Sequence, residues 1–182
     1  MQLESQIIVR CKEGDREAFR WLVQHYQRLV FSLALKMMAD EEEAKDVVQE
    51  TFLRVWQSVG SYDVRRPFVT WLYTIASNLC LDRLRRTRVV CPLPQDEDML
   101  HRFASSDDGQ QVLECREWVA IVRVLAAKLG TKQRLVFTLC QLEGLTFAEA
   151  EQVTGMTARQ LKDNLHAARQ IIRKRLKELG YE

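Results

Sequence analysis

The chain has few of the residues that interrupt helices: three prolines and seven glycines among 182 residues. It also lacks any clean alternation of apolar and polar residues, and any internal repeat. Sheet proteins and repeat arrays are therefore poor readings, and long helices are the favoured one. Cysteine is present without pattern. Cys11, Cys80, Cys91, Cys115 and Cys140 are scattered with no C-x-x-C pair. That offers neither a zinc site nor a disulfide framework and fits reduced thiols in a cytoplasm. His25, His101 and His166 lie far apart with no metal-ligand spacing. No Gly-rich phosphate loop occurs, and no serine or cysteine sits in a nucleophile motif. These absences argue against an enzyme, a metal site and a bound cofactor. No stretch reaches the ~20 apolar residues of a membrane-spanning helix. The N-terminal MQLESQIIVRCKEGD is too short and too charged for a signal peptide. The expectation is a cytoplasmic protein with no membrane insertion.

What is present is enough for a core. Hydrophobic residues make up 47% of the chain, which excludes wholesale disorder. The length suits one ordinary domain or two small ones. The net charge of +2 says little, but its distribution is uneven. Arg83, Arg85, Arg86 and Arg88 form one basic cluster, PLPQDEDMLHRFASSDDGQQ is acidic, and Arg169, Arg173, Lys174, Arg175 and Lys177 make the end basic again. That layout predicts two positive surfaces joined by an acidic connector. Helices are predicted over 4–13, stopped at Gly14, then after an Asp15 cap, then from EEEAKD to about Val59, then over FVTWLYTIASNLCLDRLRRTR. A linker follows at 89–111, then helices near 112–128, 132–142, 146–153 and 157–178. The predicted fold is all-α: one small helical domain over 1–88 and a second over 112–182.

Three stretches carry chemistry. GLTFAEAEQVTGMTARQLKDNLHAARQ has the anatomy of a helix-turn-helix, with Thr146 and Thr157 as caps and Gly155 at the turn. On its second helix Ala158, Leu161, Leu165, Ala168, Ile172 and Leu176 share one face, expected to pack on Val153 and earlier helices. The opposite face holds Arg159, Asp163, Gln170 and Lys174, flanked by Gln160, Lys162, His166 and Ala167. Such a helix fits a major groove, where these groups read base edges. An amphipathic solvated helix is the bland alternative. In EEEAKDVVQETFLRVWQSV, Ala44, Val48, Phe52, Val55 and Val59 share one face. Asp46, Gln49, Glu50, Leu53, Arg54 and Gln57 share the other. A leucine ringed by charge is either a docking surface or an isolated exposed leucine. In the third stretch Leu72, Ile75, Ala76 and Leu79 are expected to face the core. Trp71, Asn78 and Arg85 recur every seven residues beside Thr74. Ring, amide and guanidinium in one stripe suit unpaired bases, and equally suit a buried tryptophan below a polar face.

DVVQETFLRVW, FVTWLYTIASNLCLDRLRR and LGTKQRLVFTLCQLEGLTFAEAEQVTGMT, in this order and spacing, closely resemble the bacterial sigma-70 family. The short linker resembles its extracytoplasmic-function group. The resemblance covers roughly residues 8–178 and rests on three ordered motifs. It implies a sigma factor that binds core RNA polymerase, directs it to promoters and helps open the DNA. It implies polymerase docking through Asp46, Gln49, Glu50, Leu53 and Arg54. It implies capture of a flipped base of the nearer promoter element by loop 60–68 and the next helix, through Tyr62, Arg65, Arg66, Trp71, Thr74, Asn78 and Arg85. Extruding a base costs a few kcal/mol, which pocket contacts offset. It implies reading of the distal element by Thr157, Arg159, Gln160, Lys162, Asp163, His166, Arg169 and Arg173. The acidic linker resembles a segment threaded through the polymerase's nucleic-acid channels. Many relatives are held by an anti-sigma partner, so one is expected here. The chain departs from the family's habits at Glu151, where a small residue is usual, and at Asp163, Asn164 and Ala167 on the recognition helix. Asp163 repels phosphate but accepts a hydrogen bond from cytosine N4, so an unusual promoter is expected. Two rivals frame this reading: a helix-turn-helix regulator that never touches polymerase, and an enzyme with a DNA-binding tail.

Overall fold

The computed structural model describes residues 2–90 and 129–178. Most of the expected linker, the expected helix over 112–128, Cys91, His101 and Cys115, and the side chains of Arg88 and Leu176 lie outside the described residues. The described residues form helices and connecting turns, with no strand among them. In order these are α1 (Gln2–Lys12), α2 (Arg16–Met38), α3 (Glu41–Ser58), a 3₁₀ turn (Val59–Ser61) and α4 (Phe68–Val90). After the linker come α5 (Thr131–Phe137) with a π-helical turn (Thr138–Leu142), then α6 (Phe147–Thr154) and α7 (Ala158–Glu178).

Local chemistry explains most of these boundaries. Gly14 at φ +85° ends α1, and the Asp15 carboxylate accepts the Glu17 and Ala18 amides at 2.9 and 3.1 Å to start α2. Asp40 caps α3 through the Glu43 amide at 3.0 Å. Its first turn, Glu41 to Glu43, suits the positive end of the helix dipole. Thr146 and Glu149 form a reciprocal capping box on α6. Gly155 at φ +68° then makes the tight turn into α7.

Helices α1 to α4 enclose a core built on Leu22, Val30, Leu33, Met37, Val47, Val55, Leu72 and Leu79, all at most 2% exposed. The expected faces are buried with one exception on each: Ala44, Phe52 and Val55 on α3 with Val59 just after it, and Leu72, Ala76 and Leu79 on α4. On α3 Val47 and Thr51 are fully buried as well, while Val48 is half-buried. On α4 Ile75 is half-buried. In the second half, Leu161 and Leu165 pack with Val136 and Ala150, and Ala168 and Ile172 pack with Leu129. Ala158, expected in that face, is exposed because the first residue of α7 precedes the packed turns. Val153 was expected under α7. It joins the core of the first half instead, together with Leu135 and Leu139.

The two halves thus share apolar contacts, and one carboxylate ties them. The segment expected as a single helix over 132–142 changes to π geometry from Thr138, with the Glu143 amide donating to the Thr138 carbonyl at 2.9 Å. Glu143 then projects onto the first half. Its Oε1 accepts from Lys36 Nζ at 2.7 Å and from Ser32 Oγ at 3.1 Å, and its Oε2 accepts from the Tyr73 hydroxyl at 2.9 Å. Arg134 adds a bond to the Met37 carbonyl at 2.9 Å. Interruptions of this kind inside helices commonly aim a side chain. Among the described residues no helix is long and apolar enough to cross a membrane.

Candidate functional site

Among the described residues, three surfaces of this scaffold carry the side chains singled out in the sequence. The first is the outer face of α3. Asp46, Gln49, Glu50, Leu53 and Arg83 line a shallow depression, and Leu53 is 56% exposed within it. Arg83 reaches over from α4 and pairs with Glu43 at 2.8 Å, Glu50 at 3.2 Å and Asp46 at 3.6 Å. Glu50 also binds Arg54 at 2.7 Å. Partial burial alone would raise the Glu50 carboxyl, but the two guanidiniums outweigh it and hold it below the usual range. The sequence placed Arg83 in a positive cluster. In the fold it belongs to the acidic face, because α4 packs beside α3 and brings carboxylates within reach. The expected basic surface is correspondingly reduced: Arg85 pairs with Asp82 at 3.4 Å, while Arg86 is exposed.

The second surface is the loop over 62–67 with the adjoining flank of α4. Trp71 is half-buried, Asn78 and Arg85 are exposed, and all three lie along one flank as their spacing requires. The Thr74 hydroxyl donates to the Thr70 carbonyl at 2.9 Å, leaving only its lone pairs facing outward. Arg65 is exposed and forked onto Asp63 at 3.0 Å, which holds that carboxyl at about 2. Arg66 is exposed. Tyr62 is different: it is 4% exposed. Its ring packs 4.7 Å from Trp71 and 5.6 Å from Phe68. The loop tip carries one residue that the sequence did not single out, Val64, 48% exposed between charged neighbours. Its signal was available, since an apolar residue in a polar turn has no local reason to be there.

The third surface is the N-terminal half of α7. Arg159, Lys162, Asp163 and His166 are exposed, and Arg159 lies 4.0 Å from Asp163. Gln160 is partly committed: its carbonyl oxygen accepts the Thr157 amide at 3.0 Å, and Thr157 Oγ1 accepts the Gln160 amide at 3.3 Å. Arg169 binds the Gln141 side chain at 2.8 Å, and His166 meets Gln170 at 2.9 Å. Arg173 is exposed further along the helix. Glu151, the departure on α6, is half-buried, and its backbone carbonyl accepts the Gly155 amide at 2.8 Å. The turn therefore forms despite the carboxylate. No cluster of potential metal ligands occurs among the described residues. The Cys11 and Cys80 thiols are placed to be inert: burial pushes Cys11 up to about 11 and Cys80 up to about 12.

Comparison with known proteins matches residues 22–89 to the family model Sigma-70 region 2 and residues 120–172 to Sigma-70, region 4. The ECF RNA polymerase sigma factor SigL of Mycobacterium tuberculosis is 30% identical over 174 residues, covering 92% of this chain and 93% of that protein. Among solved structures, CnrH in complex with the cytosolic domain of CnrY aligns with a TM-score of 0.71 at 24% identity, over 96% of this chain and 97% of that one. The sigma factor RpoE in complex with the anti-sigma factor NepR, from Bartonella quintana, aligns with a TM-score of 0.63 at 20% identity, over 87% and 96%.

Proposed function

This chain belongs to the sigma-70 family, in its extracytoplasmic-function group, and from that membership we propose a division of labour among these three surfaces. The α3 face docks on core RNA polymerase through Asp46, Gln49, Glu50, Leu53 and Arg54. Loop 62–67 and the α4 flank capture an extruded base of the nearer promoter element, with Asn78 reading its edge and Trp71 offering a ring. Helix α7 enters the major groove of the distal element, led by Arg159 and Lys162. The first half, over 1–88, thus serves polymerase and the melted strand, and the second, over 112–182, serves duplex DNA. The protein works in the cytoplasm, performs no catalysis of its own, and is held in reserve by an anti-sigma partner. The observation that carries this reading is Leu53: a large apolar side chain, 56% exposed, in an ion-paired depression. A regulator that binds duplex DNA alone has no use for it.

The direct test is initiation: the purified chain with core polymerase should start transcription at defined promoters, and core alone should not. Two substitutions divide the DNA surfaces. Asn78→Ala should bind polymerase and the distal element as wild type does, because Asn78 is an exposed side chain on α4. Losing one base contact costs about as much as one hydrogen bond, on the order of 1 kcal/mol, and a lost stack more. Opening should fall roughly ten-fold. On a template already unpaired at the nearer element the defect should shrink without vanishing, since the base must still be read. Permanganate reactivity of unpaired thymines reports this, and wild-type melting of the intact promoter would make Asn78 structural.

Arg159→Ala should relax preference at one base of the distal element and cost ~1–3 kcal/mol, the worth of a bidentate contact. Arg173→Ala should weaken all sequences alike and flatten the salt dependence, as a phosphate contact does. Binding profiles over randomised distal elements separate the two. An unchanged preference in Arg159→Ala would argue against direct readout.

A further inference from the structure

Tyr62 is in the wrong place to touch DNA and in the right place to hold the part that does. It is 4% exposed, so its phenol faces protein. Its hydroxyl donates to the carbonyl of Arg66, four residues on, closing the loop across its own base. Its amide donates to the Val59 carbonyl at 3.1 Å. Its carbonyl accepts from Lys12 Nζ at 2.5 Å, and the same ammonium lies 6.0 Å from the centroid of its ring. The ring also meets Trp71 and Phe68. Between these ties the chain turns tightly: the Arg66 amide donates to the Asp63 carbonyl at 3.0 Å, and the Arg65 amide to the Asp63 carboxylate at 3.0 Å.

Lys12 ends α1, which is itself anchored. Ile8 and Cys11 are 3% and 2% exposed. Glu4 accepts the Tyr26 hydroxyl at 2.5 Å, and the Tyr26 ring packs 5.2 Å from Phe68. A continuous chain of contacts therefore runs from α1 through Lys12 and Tyr62 to the loop tip and to Trp71.

We propose that Tyr62 and Lys12 are positioning residues for base capture: Lys12 fixes Tyr62, and Tyr62 sets the curvature of loop 63–66 and the plane of Trp71, neither of them touching DNA. This rests on the base-capture reading of α4 given above. A loop ordered before the base arrives does not lose conformational freedom on binding. A loop released by removing one tie must be ordered at that moment, and the affinity falls accordingly.

The experiment uses holoenzyme, the chain with core polymerase. The probe is a fork-junction DNA with an unpaired nearer element, taken from a promoter selected from a random library by wild-type holoenzyme. Tyr62→Phe keeps the ring in the core and removes only the tie to Arg66. Lys12→Met removes the tie to Tyr62 and keeps the stem. Each should weaken fork-junction binding about three- to ten-fold, the range of one hydrogen bond, and Lys12→Arg should restore it. Core affinity should not move, and the melting temperature should fall by no more than the few degrees that one hydrogen bond is worth. Amide exchange at Arg65 and Arg66 should speed up in both weakened variants. Unchanged fork-junction binding in Tyr62→Phe and Lys12→Met, with Asn78→Ala still defective, would overturn this inference alone. Loss in Tyr62→Phe without faster exchange would make Tyr62 a direct contact and overturn it too. Unchanged binding in Asn78→Ala as well would show that the base-capture reading itself had failed.

Discussion

Leu53→Asp is expected to weaken capture of core RNA polymerase more than about a hundred-fold and to leave the chain folded. The side chain is 56% exposed, so the substitution removes little buried area, and exposed changes of this kind cost within ~0.5 kcal/mol of stability. At an interface the balance is different. A leucine buried in a pocket on a partner contributes about 1.5–3 kcal/mol. Aspartate would carry a charge into that pocket, beside Asp46 and Glu50, which line the same depression. Loss of the anchor and burial of a charge act in one direction, and together predict a fall of more than about a hundred-fold in affinity, counting 1.4 kcal/mol per factor of ten. The ionisation of Glu50 is robust to pH. Glu50 has its carboxyl held below the usual range by Arg54 and Arg83. A depressed carboxyl contributes stability that is complete above its unfolded value and disappears only as pH falls through the lowered one. The contribution of Glu50 to docking should therefore not titrate near neutrality. Co-elution of mutant and wild type with core polymerase, compared at equal concentration, decides it; equal capture rejects the docking assignment.

Glu143→Ala is expected to uncouple the two halves of the chain. The Glu143 side chain is 10% exposed and that of Lys36 22% exposed, at 2.7 Å. Truncation leaves an ammonium and the hydroxyls of Ser32 and Tyr73 without the acceptor they share. Breaking a buried pair in this one-sided way costs ~3–5 kcal/mol, and the partial exposure of Lys36 places this case towards the lower end. What then remains between the halves is the packing of Leu135, Leu139 and Val153 on the first half's core and the Arg134 bond to the Met37 carbonyl, and the expected result is that these do not keep the halves as one cooperative unit. Calorimetry should resolve two transitions where the wild type shows one. Removing both charges, with Lys36→Met and Glu143→Leu together, should cost less than the two single changes added, because no buried charge is left unpaired. Additive losses would sink the clasp. Tyr73 sets no neutral-pH dependence: burial first, and the Glu143 charge second, raise its phenol. A raised phenol contributes stability that is complete below the ordinary tyrosine range and is lost only as pH climbs above it.

Helix positions, caps and turns were legible in the sequence because each depends on residues a few places apart. Asp15 caps the two amides that follow it, Gly14 and Gly155 take up left-handed backbone, and Thr146 closes a box with Glu149. The exposed face of α7 and the leucine on α3 were readable for the same reason: spacing on one helix decides which side chains sit together. Where those rules run out, tertiary packing decided. Arg83 reads as one of four clustered arginines, yet it pairs with Glu43, Asp46 and Glu50, which are 33 to 40 residues earlier. Tyr62 reads as a loop residue facing a ligand, yet Phe68, Trp71 and Lys12 enclose it. The Glu143 clasp joins residues 70 to 111 positions apart and leaves no periodic trace in the chain. The physical reason is one of range. Capping and amphipathicity act over one turn of helix and are written in adjacent residues. The partner of a charge or a ring across the core depends instead on how α3 and α4 cross, and on a π turn that rotates Glu143 towards α2, and neither is set by any single helix.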